Sequence, residues 1–248
     1  MTKTKIETFI KKYSLGGLLD EVRWIVKDNT LTVSEMTSDK KLLTVVEMSN
    51  FDAYGDSEFV VPTTSEFKSK MAPLGDEMKM DLNSGEDDIK RITSIDLKDA
   101  DVELTYHTGM EDHLPPKPKI IHIPSYEVEI ILTEKFIEKF LKAKSGFSDV
   151  NLLTLIMSKK KKKLEMVLGY SSNINTDRIA LTLECVPGKD TISAPTSFSA
   201  SVLREILSAN SEVKEPVFKV SEQGLAHIEF VSENIRSKYY LIKIPVED

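Results

Sequence analysis

The sequence predicts an α+β fold of two similar domains, in which antiparallel sheets are backed by two short helices per domain. Short segments rich in Val, Leu, Ile and Thr alternate with turn residues along the chain, as is typical of strands. Few helices separate these segments, which favours antiparallel pairing. A proline-rich break near the middle is followed by a second series of the same kind, so the chain is predicted to repeat one order of elements.

The first half is predicted to contain two helices among its strands. The apolar residues of Thr4–Tyr13 recur at the spacing of one helix face: Ile6, Phe9, Ile10 and Tyr13. Ser65–Met71 is the second predicted helix, with Ser65 at its N-cap. The strands predicted around these helices are Arg23–Val26, Leu31–Met36, Leu42–Met48, Phe59–Val61, Met78–Leu82, Ile89–Ile95 and Val102–His107.

Residues 109–124 are predicted to form an extended connector between one domain over residues 1–108 and another over residues 125–248. Prolines exclude a helix or a central strand from this stretch: Pro115, Pro116, Pro118 and Pro124. Beyond it, helices are predicted at Thr133–Ala143 and Ser199–Ala209. The strands predicted there are Tyr126–Leu132, Asn151–Met157, Leu164–Gly169, Ile179–Val186, Val217–Val220, Leu225–Val231 and Tyr239–Ile244.

The chain has a formal net charge of −7, but its predicted helices are basic. The basic residues of these segments are Lys5, Lys11, Lys12, Lys68, Lys70, Lys135, Lys139, Lys142, Lys144 and Arg204. Together with their acidic residues the helical segments carry about +5, which leaves about −12 for the rest. Charges on helix faces are often simply solvated, but this segregation also suits contact with phosphates along one surface. No base-reading motif is present, so such binding would be independent of DNA sequence.

The composition favours a soluble, cytoplasmic protein that is not secreted and has no membrane contact. Cys185 is the only cysteine, so no internal disulfide can form. The segment Met1–Lys12 is charged and lacks the apolar run of a signal peptide. The longest apolar runs, such as Val128–Leu132, are too short to cross a bilayer.

No catalytic, cofactor or metal site is predicted. The chain lacks a nucleophile elbow, an HExxH sequence and a glycine-rich dinucleotide fingerprint. His107, His113 and His122 match no zinc-binding spacing. Glu86–Asp88 is interpreted as a solvated acidic turn, and Lys159–Lys163 as a hairpin turn that either contacts DNA or keeps the hairpin soluble.

Three short motifs resemble the two-domain sliding clamps, the family that includes proliferating cell nuclear antigen (PCNA) and the clamps of tailed phages. The segment Ser237–Ile242, with its acidic tail beyond, is similar to the last strand of the family. Ser34–Asp39, followed by Leu42, resembles the loop after the second long strand, and Phe51–Tyr54 matches a segment that precedes a helix. The order of elements agrees over nearly the whole chain. The proline-rich connector, and Lys243 where proline is usual, favour a phage or viral clamp.

The resemblance implies a homotrimeric ring around duplex DNA, with the basic helices lining the hole and facing the DNA. Subunits of the family join by pairing edge strands. By position, the residues at these edges are Val102, Leu104 and Tyr106 in the first domain, and Leu164, Met166 and Leu168 in the second.

The resemblance also implies a function without chemistry, in which the ring tethers a DNA polymerase and other replication proteins after an ATP-dependent clamp loader has opened it. Partners of the family insert a short peptide into an apolar pocket between the domains. The residues that match this pocket are Met36, Leu42, Ile121, Ile123, Tyr240, Ile242 and Pro245. A viral clamp would act in the host cytoplasm.

Two other functions stay open. One is a structural or interaction protein of two β-rich domains, such as a virion component, which would show no DNA-dependent behaviour. The other is an enzyme with an unrecognised site, against which the absence of any convergent catalytic motif argues.

Overall fold

The computed structural model describes the chain except for residues 1, 52–54, 86–90, 111–113, 119–122, 159–162, 172–175 and 246–248. The chain divides into two compact units whose segments interleave along the sequence. Unit 1 consists of Met1–Thr37, Thr44–Pro118 and Val231–Ser237. Unit 2 consists of Ser38–Leu43, Lys119–Phe230 and Lys238–Asp248, so the predicted connector is divided after Pro118.

Unit 1 contains two helices and two antiparallel sheets. Its elements are α1 (Lys3–Ser14), a 3₁₀ turn (Leu15–Gly17), β1 (Val22–Lys27), β2 (Thr30–Met36), most of β3 (Leu42–Ser49), β4 (Ser57–Val61), α2 (Thr64–Lys70), β5 (Lys79–Ser84), β6 (Ile92–Lys98) and β7 (Glu103–His107). One sheet has the order β3-β2-β1-β4 and the other the order β5-β6-β7. Helix α1 packs against α2.

The core of unit 1 is built around Trp24. This side chain is fully buried, and its ring centroid lies 5.7 Å from that of Phe9, 5.9 Å from that of Phe59 and 5.8 Å from that of Phe67. The apolar stripe predicted for the first helix is completely buried in this core, which confirms the amphipathic pattern. The helix faces of unit 1 that remain exposed therefore carry its polar side chains.

Unit 2 also contains two helices and antiparallel sheets. Its elements are β8 (Val128–Ile131), α3 (Glu134–Gly146), β9 (Leu152–Met157), β10 (Leu164–Leu168), β11 (Ile179–Thr182), β12 (Cys185–Asp190), β13 (Thr196–Ser199), α4 (Ala200–Ala209), β14 (Val217–Val220), and most of β15 (Leu225–Val231) and β16 (Ile235–Ile242). The sheet orders are β12-β8-β14-β15-β16 and β11-β10-β9-β13. Helix α3 packs against α4. The α+β class with antiparallel sheets and few short helices is thereby confirmed.

One strand prediction for unit 2 was wrong, and one strand was missed. The predicted strand Ile179–Val186 is two strands, because the chain changes sheets within it. The N–H of Leu183 still donates to the carbonyl of Leu164 in β10 at 3.0 Å, whereas the carbonyl of Glu184 accepts from the N–H of Ile131 in β8 at 2.8 Å. Strand β13 was missed because its sequence is short and polar, although the structure buries most of it.

Candidate nucleic-acid and protein interfaces

Most of the basic residues predicted to face DNA are exposed on the helices. The exposed members of the set are Lys5, Lys11, Lys68, Lys70, Lys135, Lys139, Lys142 and Arg204. Because the helices of each unit pack in a pair, each unit carries its share of this charge on one helical layer. Such a layer attracts phosphates through charge alone.

Lys12 and Lys144 do not belong to this exposed set, and their prediction as phosphate contacts was wrong. Lys12 is completely buried beside the apolar stripe of α1, and Lys144 is 2% exposed. The ammonium group of Lys144 donates to the carbonyls of Phe147 and Ser148, at 3.2 and 2.9 Å, just beyond the end of α3. A cation at this position satisfies carbonyls at the helix C-terminus and complements the helix dipole.

Acidic neighbours neutralise part of the remaining charge. Lys70 lies 2.8 Å from Glu66, and Lys142 and Arg204 also pair with glutamates of their own helices. Five basic side chains make no ion pair within the part of the chain that the structure describes: Lys5, Lys11, Lys68, Lys135 and Lys139. These five are the strongest candidates for phosphate contacts.

The first predicted edge strand ends its sheet, but its predicted side chains point inward. Strand β7 pairs with β6 on one side and is the last strand of its sheet. Tyr106 is 4% exposed, its hydroxyl donates to the carbonyl of Thr63 at 3.1 Å, and Val102 and Leu104 pack against the core. Since these three side chains face inward, only the outer backbone edge of β7 and its outward residues are open to another chain.

The second predicted edge strand was wrong. Strand β10, with Leu164, Met166 and Leu168, lies between β9 and β11, and all of its residues are buried. The terminal strands of this sheet are β11 and β13, and β11, the neighbour of β10, exposes Ala180 and Thr182. The sequence does not indicate that β10 is an inner strand and β11 a terminal one, because the position of a strand in a sheet depends on distant pairing partners.

Two of the unpaired lysines lie beside the terminal strand β11. Lys135 and Lys139 of α3 line a depression of about 310 Å³ together with Leu181 and Thr182 of β11. The depression thus joins a basic helix to an exposed strand edge.

Tyr240, predicted in the partner pocket, belongs to a column of three aromatic rings in unit 2. Its ring centroid lies 4.7 Å from that of His227, which lies 6.0 Å from that of Tyr126, and each pair is tilted by only 23°. Tyr240 is 7% exposed, and the other two are half-buried. Tyr126 and His227 were missed from the sequence, although His227 alternates with the buried Ala226 and Ile228 and so faces away from the core.

The electrostatics of this column keep its rings neutral. The pKa of His227 is lowered to about 4, mainly by burial and with the help of nearby lysines, while Glu229 opposes the shift. Burial also raises the pKa of Tyr126 to about 12. At neutral pH the column therefore presents an uncharged aromatic surface.

The other residues predicted for the partner pocket differ in exposure. Ile123 is 47% exposed, Ile242 is 40% exposed and Pro245 is also exposed, so these three are open to a partner. Met36 is half-buried. Leu42 is completely buried, which contradicts its predicted contact with a peptide, and Ile121 lies outside the described residues.

The described residues contain no group of three or more potential metal ligands. The predicted acidic turn Glu86–Asp88, together with His113 and His122, lies outside the described residues. Cys185 is half-buried, and burial raises the pKa of its thiol to about 11. Within the described ranges, no helix combines the length and the hydropathy that a membrane crossing requires.

The fold is that of the PCNA sliding clamps. No protein-family model matches the chain, and no curated protein sequence does. The chain is similar to the structure of A. fulgidus PCNA bound to the C-terminal region of FEN-1, with a TM-score of 0.71 and 12% identity over 100% of this chain and 98% of that one.

Two further solved structures give the same result. PCNA from Entamoeba histolytica matches with a TM-score of 0.67 and 16% identity, over 96% of this chain and 95% of that one. A PCNA2–PCNA3 complex from Sulfolobus tokodaii matches with a TM-score of 0.67 and 12% identity, over 98% and 97%. The likeness spans nearly the full length of each chain, so it concerns the whole two-domain fold.

Proposed function

We propose that this protein is a sliding clamp, a ring of three copies that encircles duplex DNA and tethers a DNA polymerase and other replication proteins. The observation that carries the proposal is the pairing of a full-length clamp fold with basic residues concentrated on the four helices. In this proposal the domains are residues 1–108 and 125–248, joined by residues 109–124. A closed ring holds its partner on DNA by topology, which keeps the local concentration of the partner high.

The strand edges support the proposed assembly. A terminal strand offers unpaired N–H and carbonyl groups to another chain, and the terminal strands assigned to this contact are β7 in unit 1 and β11 in unit 2, at the ends of sheets that finish on their other sides in β5 and β13. Pairing β7 of one copy with β11 of the next would give a heterologous contact, and such contacts close into rings when the rotation between copies permits. Ring opening for loading onto DNA is assigned to an ATP-dependent clamp loader.

A partner site is proposed on unit 2. Tyr240, at one end of the uncharged column, lies on the same strand as the exposed Ile242, and Pro245 follows three residues after Ile242. Aromatic and aliphatic side chains of this kind anchor the hot-spot residues of a peptide. In one of the similar structures a C-terminal region of FEN-1 is bound to A. fulgidus PCNA, so a peptide of that region is a suitable probe.

The assembly is tested by light scattering at several protein concentrations. The proposal requires a species of three times the 28.0 kDa of one chain. A monomer at every concentration, with no retention on circular DNA in the presence of a clamp loader, would favour a structural protein instead.

The DNA contact is tested with the double variant Lys135→Glu/Lys139→Glu. Each phosphate contact that is lost should reduce the salt dependence of DNA binding, log K against log salt, by about 0.9. The matched control is Lys27→Glu/Lys98→Glu, which makes the same charge change on exposed strand positions. Equal weakening by both double variants would show that net charge, rather than the helical layer, governs binding.

A further inference from the structure

The first part of the connector is held on unit 1 by a network of charged side chains. Arg23 of β1 is only 6% exposed, and one of its terminal nitrogens donates to the carbonyl of Pro115 at 3.4 Å. Two residues further along, the ammonium group of Lys117 pairs with the carboxylate of Glu58 on β4. The connector is therefore attached to unit 1 at two adjacent points.

The two attachment points share one network. The Nε of Arg23 lies 3.1 Å from the carboxylate of Glu58, which also pairs with Lys117. The contact between Arg23 and Glu58 is an ion pair without a hydrogen bond. Another guanidinium nitrogen lies 3.4 Å from Glu35, a carboxylate that is 3% exposed and also accepts from the backbone N–H of Arg23 at 3.2 Å. Because guanidinium is planar and has five donors, arginine can serve all these partners at once, whereas lysine cannot.

The burial of this network sets its strength. A buried charge is retained only when it is paired, and removing one partner leaves the other without compensation. Arg23 and Glu35 are nearly inaccessible, whereas the side chain of Lys117 is 50% exposed. The network thus has a strong inner part, formed by Arg23 and Glu35, and a weaker outer part at Lys117.

We infer that Arg23, Glu58 and Lys117 form a latch that docks connector residues 114–118 on unit 1 and thereby positions the connector for partner binding. The positioning half of this inference rests on the proposed function and on the prediction that Ile123, in the second part of the connector, contributes to the peptide site. A docked connector has less conformational freedom to lose when a peptide binds, so the latch should raise affinity through preorganisation.

Docking itself is measured by the rate of trypsin cleavage after Lys119. A protease needs several extended residues on both sides of the bond, so release of residues 114–118 should accelerate cleavage. Lys117→Met removes the exposed pair, and cleavage should be about two- to five-fold faster. Arg23→Lys keeps the charge but loses most of its contacts, and cleavage should be about ten-fold faster or more.

Lys98→Met is the matched control, because Lys98 forms an exposed ion pair with Glu103 at 3.1 Å elsewhere on unit 1. Its cleavage rate after Lys119 should equal that of the unmodified protein. Urea unfolding shows whether faster cleavage comes from release of the connector or from a loss of global stability. If Arg23→Lys fails to fold, the cleavage rate of Lys117→Met tests the latch. Unchanged cleavage in Lys117→Met, or equal acceleration in Lys98→Met, would overturn the latch.

Positioning is measured with a peptide of the FEN-1 C-terminal region. The latch variants should bind it more weakly, by about the factor that they gain in cleavage rate, and Lys98→Met should bind it normally. Faster cleavage with unchanged affinity would overturn positioning while leaving the latch supported. If the unmodified protein binds no peptide, the proposed partner site fails, and the cleavage rates still decide whether the connector is latched.

Discussion

Protonation of His227 is expected to destabilise the protein, because it would place a charge inside the aromatic column. Burial between Tyr126 and Tyr240 lowers the pKa of this imidazole from 6.5 to about 4. Between these two pH values the unfolded chain binds a proton at His227 that the folded chain excludes. The free energy of unfolding must therefore decrease as the pH falls through this window.

The size of the effect follows from the width of the window. Between pH 7 and pH 5 the pH falls to about 1.5 units below the pKa of the imidazole in the unfolded chain. Each unit corresponds to about 1.4 kcal/mol, so the free energy of unfolding would decrease by about 2 kcal/mol. His227 is only half-buried, and solvent screening reduces the expected loss to about 1 kcal/mol.

The measurement is urea unfolding at pH 7, 6 and 5, at one fixed protein concentration, of the unmodified protein and of His227→Phe. Phenylalanine preserves a stacked ring but cannot take up a proton. Between pH 7 and pH 5 the variant should lose about 1 kcal/mol less stability than the unmodified protein. If both proteins lose stability in parallel, the imidazole does not lie in the column and the reasoning is refuted.

Two further outcomes are expected. Burial raises the pKa of Cys185 from 9.0 to about 11. Ellman's reagent at pH 8 should therefore modify this thiol about 100-fold more slowly than an ordinary thiol. A rate equal to that of glutathione would contradict this. Asp76 accepts from the backbone N–H and the hydroxyl of Thr4, which lowers its pKa and stabilises the start of α1. Asp76→Asn should lower the melting temperature at pH 7, and the difference should vanish as the pH falls through the folded pKa of Asp76. Equal melting temperatures at pH 7 would argue against this stabilisation.

The elements that could be predicted are those whose signal is local. Helices α1, α3 and α4 have apolar residues at helical spacing. The N-caps of α3 and α4 are Thr133 and Ser199, whose hydroxyls accept from the N–H three residues later. Strands with clear alternation and turn residues at both ends were found within a few residues of their structural bounds. Here periodicity and turn chemistry agree with the tertiary environment.

The features that could not be predicted depend on distant parts of the chain. Nothing in the sequence of Leu164–Leu168 indicates that Ile179–Thr182 will cover its outer edge. The column around His227 likewise requires the segment before β8 to meet β15 and β16, and a lone histidine on a strand gives no sign of this. The latch depends on a buried arginine, whose partners lie 12 to 92 residues away. Local patterns carry no information about such contacts.

The burial of Lys12 and Lys144 changes the expected character of the DNA contact. Of ten basic residues predicted to face DNA, these two are buried and three others pair with glutamates, which leaves five without an ion pair among the described residues. The rest of the chain is acidic, so attraction to phosphates should be weak and strongly reduced by salt. A protein held on DNA by affinity alone would need a denser basic surface than this one. A closed ring needs only enough positive charge to prevent repulsion, because dissociation requires opening of the ring. Weak binding to short linear duplex combined with stable retention on circular DNA is therefore the behaviour that the proposed clamp should show.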